Sequence, residues 1–189
     1  MVESTKQVEL FLFINPISLA SLKMEEESFK FIDTYKKNAQ ITIFTYHNIY
    51  TLYSYMIKNQ LAPESTALWN KLHNDSYHLS LAFIAATIQG KKKGRKFLMN
   101  IQRKMLKQKE PFSKSLLLDS AKKANLDIDM FLSDLHSPFV QKLFLADQKI
   151  SKSLGIIGTP SCLLVTTGEE KKATLIENFV TAEDLYAMV

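Results

Sequence analysis

Cysteine is almost absent from this chain: Cys162 stands alone in 189 residues. A lone cysteine forms no internal disulfide, so oxidative stapling contributes nothing and dithiol cycling within the chain is excluded. Glycine and proline are scarce, five of each. That leaves little room for long linkers, and neither a low-complexity tract nor a fixed-period repeat occurs. Long apolar runs are missing as well. Val8 to Ile14 is about half the length of a signal core and far too short to cross a bilayer, and MVESTKQVEL places no basic stretch before it. The expectation is a cytoplasmic protein with no membrane partner.

What remains is ordinary globular material, 46% hydrophobic and 23% charged, enough for one domain or for one domain carrying an insertion. The net charge is +5, and much of it sits at Lys91, Lys92, Lys93, Arg95 and Lys96, then at Arg103, Lys104, Lys107 and Lys109. Such a run reads first as the solvated face of a helix, and second as a surface for an acidic partner. No aromatic platform or nucleic-acid motif accompanies it, so no nucleic-acid partner is expected. His47, His73, His78 and His136 are scattered, none beside acids or cysteine at ligand spacing, so no metal or cofactor is expected.

Periodicity divides the chain into three stretches. Val8–Ile14 is a nearly continuous apolar run, a strand buried on both faces, and Gln40–Tyr46 is a second, β-branched and aromatic strand. Ser18 to Tyr35 between them reads as a helix with Leu22, Phe29 and Ile32 on one side and Glu25 to Glu27 in an early turn, where carboxylates suit the dipole. From about Ile49 to Leu154 the pattern is helical. Tyr77–Gln89 is apolar on most sides, as for a central helix, and Gly90 and Gly94 bracket a basic turn that ends it. Phe97, Ile101 and Met105 then recur at spacing four. Ser113 caps a helix with Leu117, Ala121 and Ala124, and Asn125 suits a left-handed exit. Asp127 caps a short helix to Leu135. Ser137-Pro138 opens a helix with Val140, Leu143, Phe144 and Ile150, ended by Gly155. Strands return at Ser161–Thr166 and Ala173–Glu177 around the turn TGEEKK, and Thr181 with Asp184 forms a capping pair for a last helix.

This β-α-β, helical, β-β-α order is that of a thioredoxin-like α/β fold with a helical insertion. It predicts a thioredoxin-like domain from residues 1–48 and 155–189 and an inserted helical domain from 49–154. Two motifs carry the resemblance further. Asn15-Pro-Ile-Ser18-Leu-Ala-Ser21 resembles the D-P-x-C-P-x-C turn of the DsbA-like branch, with Asn15 for the acid, Pro16 matched, and serines at both cysteine positions. Gly158-Thr159-Pro160, entering a strand, resembles the cis-proline loop that faces this turn. A C-x-x-C pair at a helix start works because the dipole and free N–H groups stabilise a thiolate. Serine is hardly ionised at neutral pH and forms no disulfide, so Ser18 and Ser21 carry no dithiol exchange, and Ser18 reads as an N-cap. Cys162, in an apolar strand, reads as a small buried hydrophobe.

IQGKKKGRKFLMNIQRKML (88–106), LLLDSAKKANLDIDMFLSDLHS (116–137) and the helix running into GIIGTP are similar to the SpxH (YjbH) family of Gram-positive bacteria. That resemblance implies a cytoplasmic adapter rather than an enzyme, one that binds the Spx regulator and presents it to the ClpXP protease. Some relatives keep cysteines at the first turn, and the two serines here depart from that pattern at the point where thiol- or zinc-based sensing would need them. Partner-binding candidates are the aromatic stretch after the second strand, Tyr46, Tyr50 and Tyr53, whose composition suits interfaces, and the basic residues Lys92, Lys93 and Arg95. The alternative is a glutathione-dependent enzyme similar to kappa-class transferases and hydroxychromene carboxylate isomerases, in which a serine at this turn activates the thiol of glutathione, a role that would fall to Ser18. Against it, the Trp-Gly-x-Asp-Arg stretch of those proteins is replaced here by ENFVTAEDLYAMV.

Overall fold

Alternation along the first strand decides how the sheet is used. In a computed structural model that describes residues 7–35, 38–168 and 170–189, β1 (Gln7–Ile14) exposes Gln7 and Glu9 and buries Val8, Leu10, Leu12, Phe13 and Ile14. Only Leu12 to Ile14 are buried in succession, and so on both faces of the sheet, while Phe11 is half-buried. Residues 1–6 and Glu169 of the hairpin turn lie outside the described residues.

The helix α1 (Leu19–Tyr35) returns the chain to β2 (Ala39–Thr45), which pairs parallel to β1. Six helices follow: α2 (Ile49–Lys58), α3 (Thr66–Ile88), α4 (Lys91–Gln102), α5 (Lys114–Lys123), α6 (Ile128–Leu135) and α7 (Pro138–Ser153), with a π-helical turn at Arg103–Lys107 after α4. Then β3 (Ser161–Thr167) and β4 (Lys171–Glu177) form an antiparallel hairpin, β3 runs antiparallel to β1, and α8 (Ala182–Met188) is the last element. The sheet order is β2-β1-β3-β4. This is the thioredoxin-like arrangement the element order predicts.

One sheet face, with Leu10, Leu12, Ile43 and Leu164, packs on Met24 and Phe31 of α1 and on Leu185 of α8. The other gathers Phe13, Tyr46 and Ile156. The helices between β2 and β3 build their own core from Leu79, Ala82, Phe97, Ile101, Leu117, Phe131 and Val140. Phe83 of α3 and Leu98 of α4 reach into the sheet cluster and join the two.

The caps form where local chemistry calls for them. The side chains of Asn48, Ser65, Ser113, Asp127, Ser137 and Thr181 each accept a first-turn N–H, and Asn125 takes φ +57°. Four details differ from expectation. Lys91 to Lys93 are the first turn of α4 rather than a turn outside a helix, and Gly94 lies inside it. The buried stripe of α1 is Ser21, Leu22, Met24, Glu25, Ser28 and Phe31, with Phe29 and Ile32 half-buried. Because α1 begins at Leu19, Glu25 lies beyond its first turn and faces inward. Ile150 is exposed, since α7 presents Val140 and Phe144 to the core.

Candidate functional site: the first helix turn and the groove beside it

The chain leaves β1 at Asn15, and the turn that follows is closed by polar side chains. Asn15 Oδ1 accepts from the Ile17 N–H at 3.2 Å and from the Ser76 hydroxyl of α3 at 3.0 Å, so an Asx turn is also tied to α3. The Asn15 carbonyl accepts from the Ser18 N–H at 2.9 Å. Ser18 Oγ accepts from the Ser21 N–H at 3.4 Å, and Ser21 Oγ accepts from the Asn15 N–H at 3.1 Å. Ser18 Oγ thus takes up a backbone donor that a helix start leaves without an intrahelical acceptor, and Ser21 Oγ takes up the N–H of the residue that leaves β1. Both serines are buried. The bond to Ser18 Oγ is the one an N-cap makes, and the same geometry gives Ser21 a part in the turn.

The cis Thr159–Pro160 peptide lies in the loop entering β3, where Ser161 Oγ donates to the Gly158 carbonyl at 2.8 Å. Between this loop and the start of α1 runs an open groove of about 830 Å³. Ser18, Leu19 and Lys23 form one wall, and Thr51, Tyr55 and Lys58 of α2 form another; Thr159 lines it too. Ser18 and Thr159 therefore meet on one groove. Ser21 and Pro160 are buried and are not among its lining residues. No cysteine or histidine lines it, and Cys162 is enclosed in β3, where burial pushes its thiol up to about 12.

The aromatic candidates divide. Tyr46 is interior, 6% exposed, with its hydroxyl accepting from Asn48 Nδ2 at 2.8 Å; the end of β2 carries it into the core beside Phe13. Tyr50 and Tyr53 are exposed, at 77% and 50%, and share the outer side of α2 with exposed Ile49 and Ile57. Lys92 and Lys93 are exposed on α4. Arg95 is half-buried, its guanidinium 5.5 Å from the Phe29 ring centroid. It borders a different depression, between α1 and α4, so the basic candidates do not join the groove.

Sequence reasoning passed over two features. The fully buried Glu25 carboxyl is held up at about 8 by loss of water, countered only partly by a hydrogen bond from Gln102. Continuing the 3.6-residue period from Leu22 to Ser28 marks it as inward. Histidines distant in sequence also meet: the His47 and His73 rings are 5.4 Å apart. Burial, then the neighbouring His73, brings His47 down to about 4. Among the described residues no three metal-binding side chains cluster.

Known proteins match this arrangement. The SpxH ClpXP adapter of Bacillus subtilis is 25% identical over 185 residues, 87% of this chain and 60% of that relative. The Bacillus cereus protein of the same name is 34% identical over 101 residues, 53% of this chain and 34% of its own length. The chain thus spans less than two thirds of these relatives. Among solved structures, a Nitrosomonas europaea protein with a provisional description as a protein disulfide isomerase superposes with a TM-score of 0.71 at 15% identity, covering 96% of this chain and 95% of its own. The thiol-disulfide exchange protein α-DsbA2 of Wolbachia pipientis superposes at 0.63 and 13% identity, covering 98% and 82%. These two share the fold. The thioredoxin family model matches residues 11–187; a match running from the first strand into the last helix takes in both halves of the sheet and the helices between, and this chain belongs to the thioredoxin family.

Proposed function

We propose that this chain is a cytoplasmic adapter that binds a Spx-type regulator and promotes its degradation by ClpXP, without catalysing a reaction itself. One observation carries the reading: an open groove with no thiol or imidazole on its walls, beside a helix that displays Ile49, Tyr50, Tyr53 and Ile57 to solvent. Exposed apolar side chains grouped on one helix are a signature of association. The resemblance to relatives named as ClpXP adapters supports the same reading and supplies its partner.

In this proposal residues 49–154 act as an inserted domain whose α2 offers the apolar contact, with Thr159 and Pro160 shaping the adjoining loop. Lys92, Lys93 and Arg95 form a separate basic contact. The glutathione alternative is not favoured, because the curated relatives are named as adapters. The test is a purified system of ClpXP, a Spx-type regulator and this chain. Faster regulator loss with the chain present is expected; no complex at micromolar concentration and no acceleration would end the proposal.

A further inference from the structure

A third cavity, of about 250 Å³, opens at the edge of the sheet where β2 meets α3 and α7. Its lining is nearly all apolar, with Phe44 of β2, Ile84 and Ile88 of α3 and Leu143 of α7, and the single ionisable group among its lining residues is Asp147. The Asp147 carboxyl has no hydrogen-bond or ionic partner among the described residues. Burial alone raises it to about 7. A carboxyl drawn away from water with nothing supplied in return is a cost that a bound cation would relieve.

The backbone adds a second acceptor. β2 is an edge strand. Its Thr45 carbonyl points outward to Gln148 Nε2 at 2.7 Å, while the Tyr46 N–H points inward to the Ile14 carbonyl at 2.8 Å. By the two-residue alternation of a strand, the carbonyl of Ile43, a lining residue, points outward as well.

We propose that this cavity binds a primary ammonium carried on an apolar stem. The stem lies against Phe44, Ile88 and Leu143, and the cation lies between the Asp147 carboxylate and the outward carbonyl of Ile43. An anion would meet the carboxylate, and a neutral apolar ligand would leave it unpaired. A hard divalent cation demands more oxygen ligands than one carboxylate and an edge carbonyl offer. A long apolar chain ending in an ammonium matches both parts. A free alkylamine and a lysine side chain of another protein share this chemistry.

The experiment is an amide NMR titration of the whole chain near pH 8 with n-hexylamine, hexan-1-ol and Nα-acetyl-lysine methylamide. Saturable shifts confined to the neighbourhood of Thr42, Phe44, Thr87 and Leu143 are expected with hexylamine. Hexanol and the variant Asp147→Asn should each weaken binding about tenfold or more, as loss of a charged hydrogen-bond partner does. Binding of the blocked lysine as well would identify a protein side chain as an acceptable source, and binding of hexylamine alone a small amine; both support the site. Equal binding of hexanol, unchanged binding in Asp147→Asn, or shifts scattered over the molecule would overturn it. The hexanol comparison stands even if the variant is poorly folded.

Discussion

Gln102 Nε2 donates to Glu25 Oε1 at 2.9 Å across the contact between α4 and α1, and both side chains are fully enclosed. Their other oxygens, Glu25 Oε2 and Gln102 Oε1, have no partner among the described residues. A proton on Glu25 Oε2 makes that oxygen a donor and Gln102 Oε1 its natural acceptor, so the site suits a neutral acid facing an amide. The folded-state value near 8, against an ordinary 4.5, follows from the same burial. The unfolded chain releases this proton above about pH 4.5 while the folded chain keeps it. Glu25 therefore contributes a loss of stability as pH rises from about 4.5 to about 8, with a slope approaching ~1.4 kcal/mol per pH unit inside that window. Glu25→Gln keeps the paired geometry and should remove this slope, so the variant gains on the parent as pH rises. Urea denaturation at several pH values between 5 and 8 measures it, and parallel curves for the two proteins would contradict the account.

Gly94 lies where α4 crosses α3. A Cβ built there comes within 2.9 Å of Thr87 Cα, a backbone atom that cannot rotate aside. Helix propensity alone favours Gly94→Ala by up to about 1 kcal/mol. Overpacking against backbone costs about 1–3 kcal/mol, so the variant should lose stability on balance. A raised denaturation midpoint would show that the helices separate readily at this crossing.

The two serines of the first turn should differ in weight, in the order opposite to their exposure to the groove. Ser21→Ala leaves the buried Asn15 N–H without its acceptor, a loss of about 1–3 kcal/mol. Ser18→Ala removes a longer bond, 3.4 Å against 3.1 Å, and should cost about 1 kcal/mol or less, at the low end for an N-cap. Thermal melts of both variants decide the order. The same melts with millimolar glutathione should show no shift in the parent chain, and a shift lost in Ser18→Ala would revive the glutathione alternative.

Where a signal was local, the sequence was enough. Ser113, Asp127, Ser137 and the Thr181–Asp184 pair announce their helices because a cap needs only its own first turn, and Asn125 marks a left-handed exit for the same reason. The first turn was readable as a helix start for the same reason, with Ser18 at its cap. What escaped depends on partners distant in the chain. Glu25 looks like an ordinary solvent-facing acid until α4 is laid across α1, and Tyr46 looks like the start of an aromatic surface until β2 carries it beneath the sheet. Gly94 looks like a turn residue because a helical glycine that permits a close crossing and a glycine that ends a helix read alike in one dimension.

His47 should set the acid side of the stability profile. Its ring is buried near His73 and Phe144, and Nδ1 has no hydrogen-bond partner among the described residues. The folded value near 4 lies below the ordinary 6.5. The stability this neutral ring confers is fully present above about pH 6.5 and is lost as pH falls toward and through about 4. His47→Phe should flatten that decline between pH 6.5 and 4 while leaving the Glu25 slope at higher pH in place. An acid limb unchanged in the variant would place the sensitivity elsewhere.

The exposed aromatics and the exposed lysines should fail in different ways if the adapter reading holds. Tyr50 and Tyr53 stand out from α2 and Lys92 and Lys93 from α4, so truncating either pair should leave the melting temperature nearly unchanged. Aromatic anchors contribute after contact, by desolvated packing, and their loss raises the dissociation rate. Rim charges act before contact by steering, and their loss lowers the association rate and its dependence on salt. Tyr50→Ala with Tyr53→Ala should therefore speed release of a Spx-type regulator roughly tenfold or more, with association little changed. Lys92→Ala with Lys93→Ala should slow association severalfold at low salt and very little at high salt. Surface plasmon resonance at two ionic strengths separates the two effects. A lysine variant that releases faster at all salt concentrations would show those side chains buried in the contact, and an aromatic variant with unchanged kinetics would move the partner off α2.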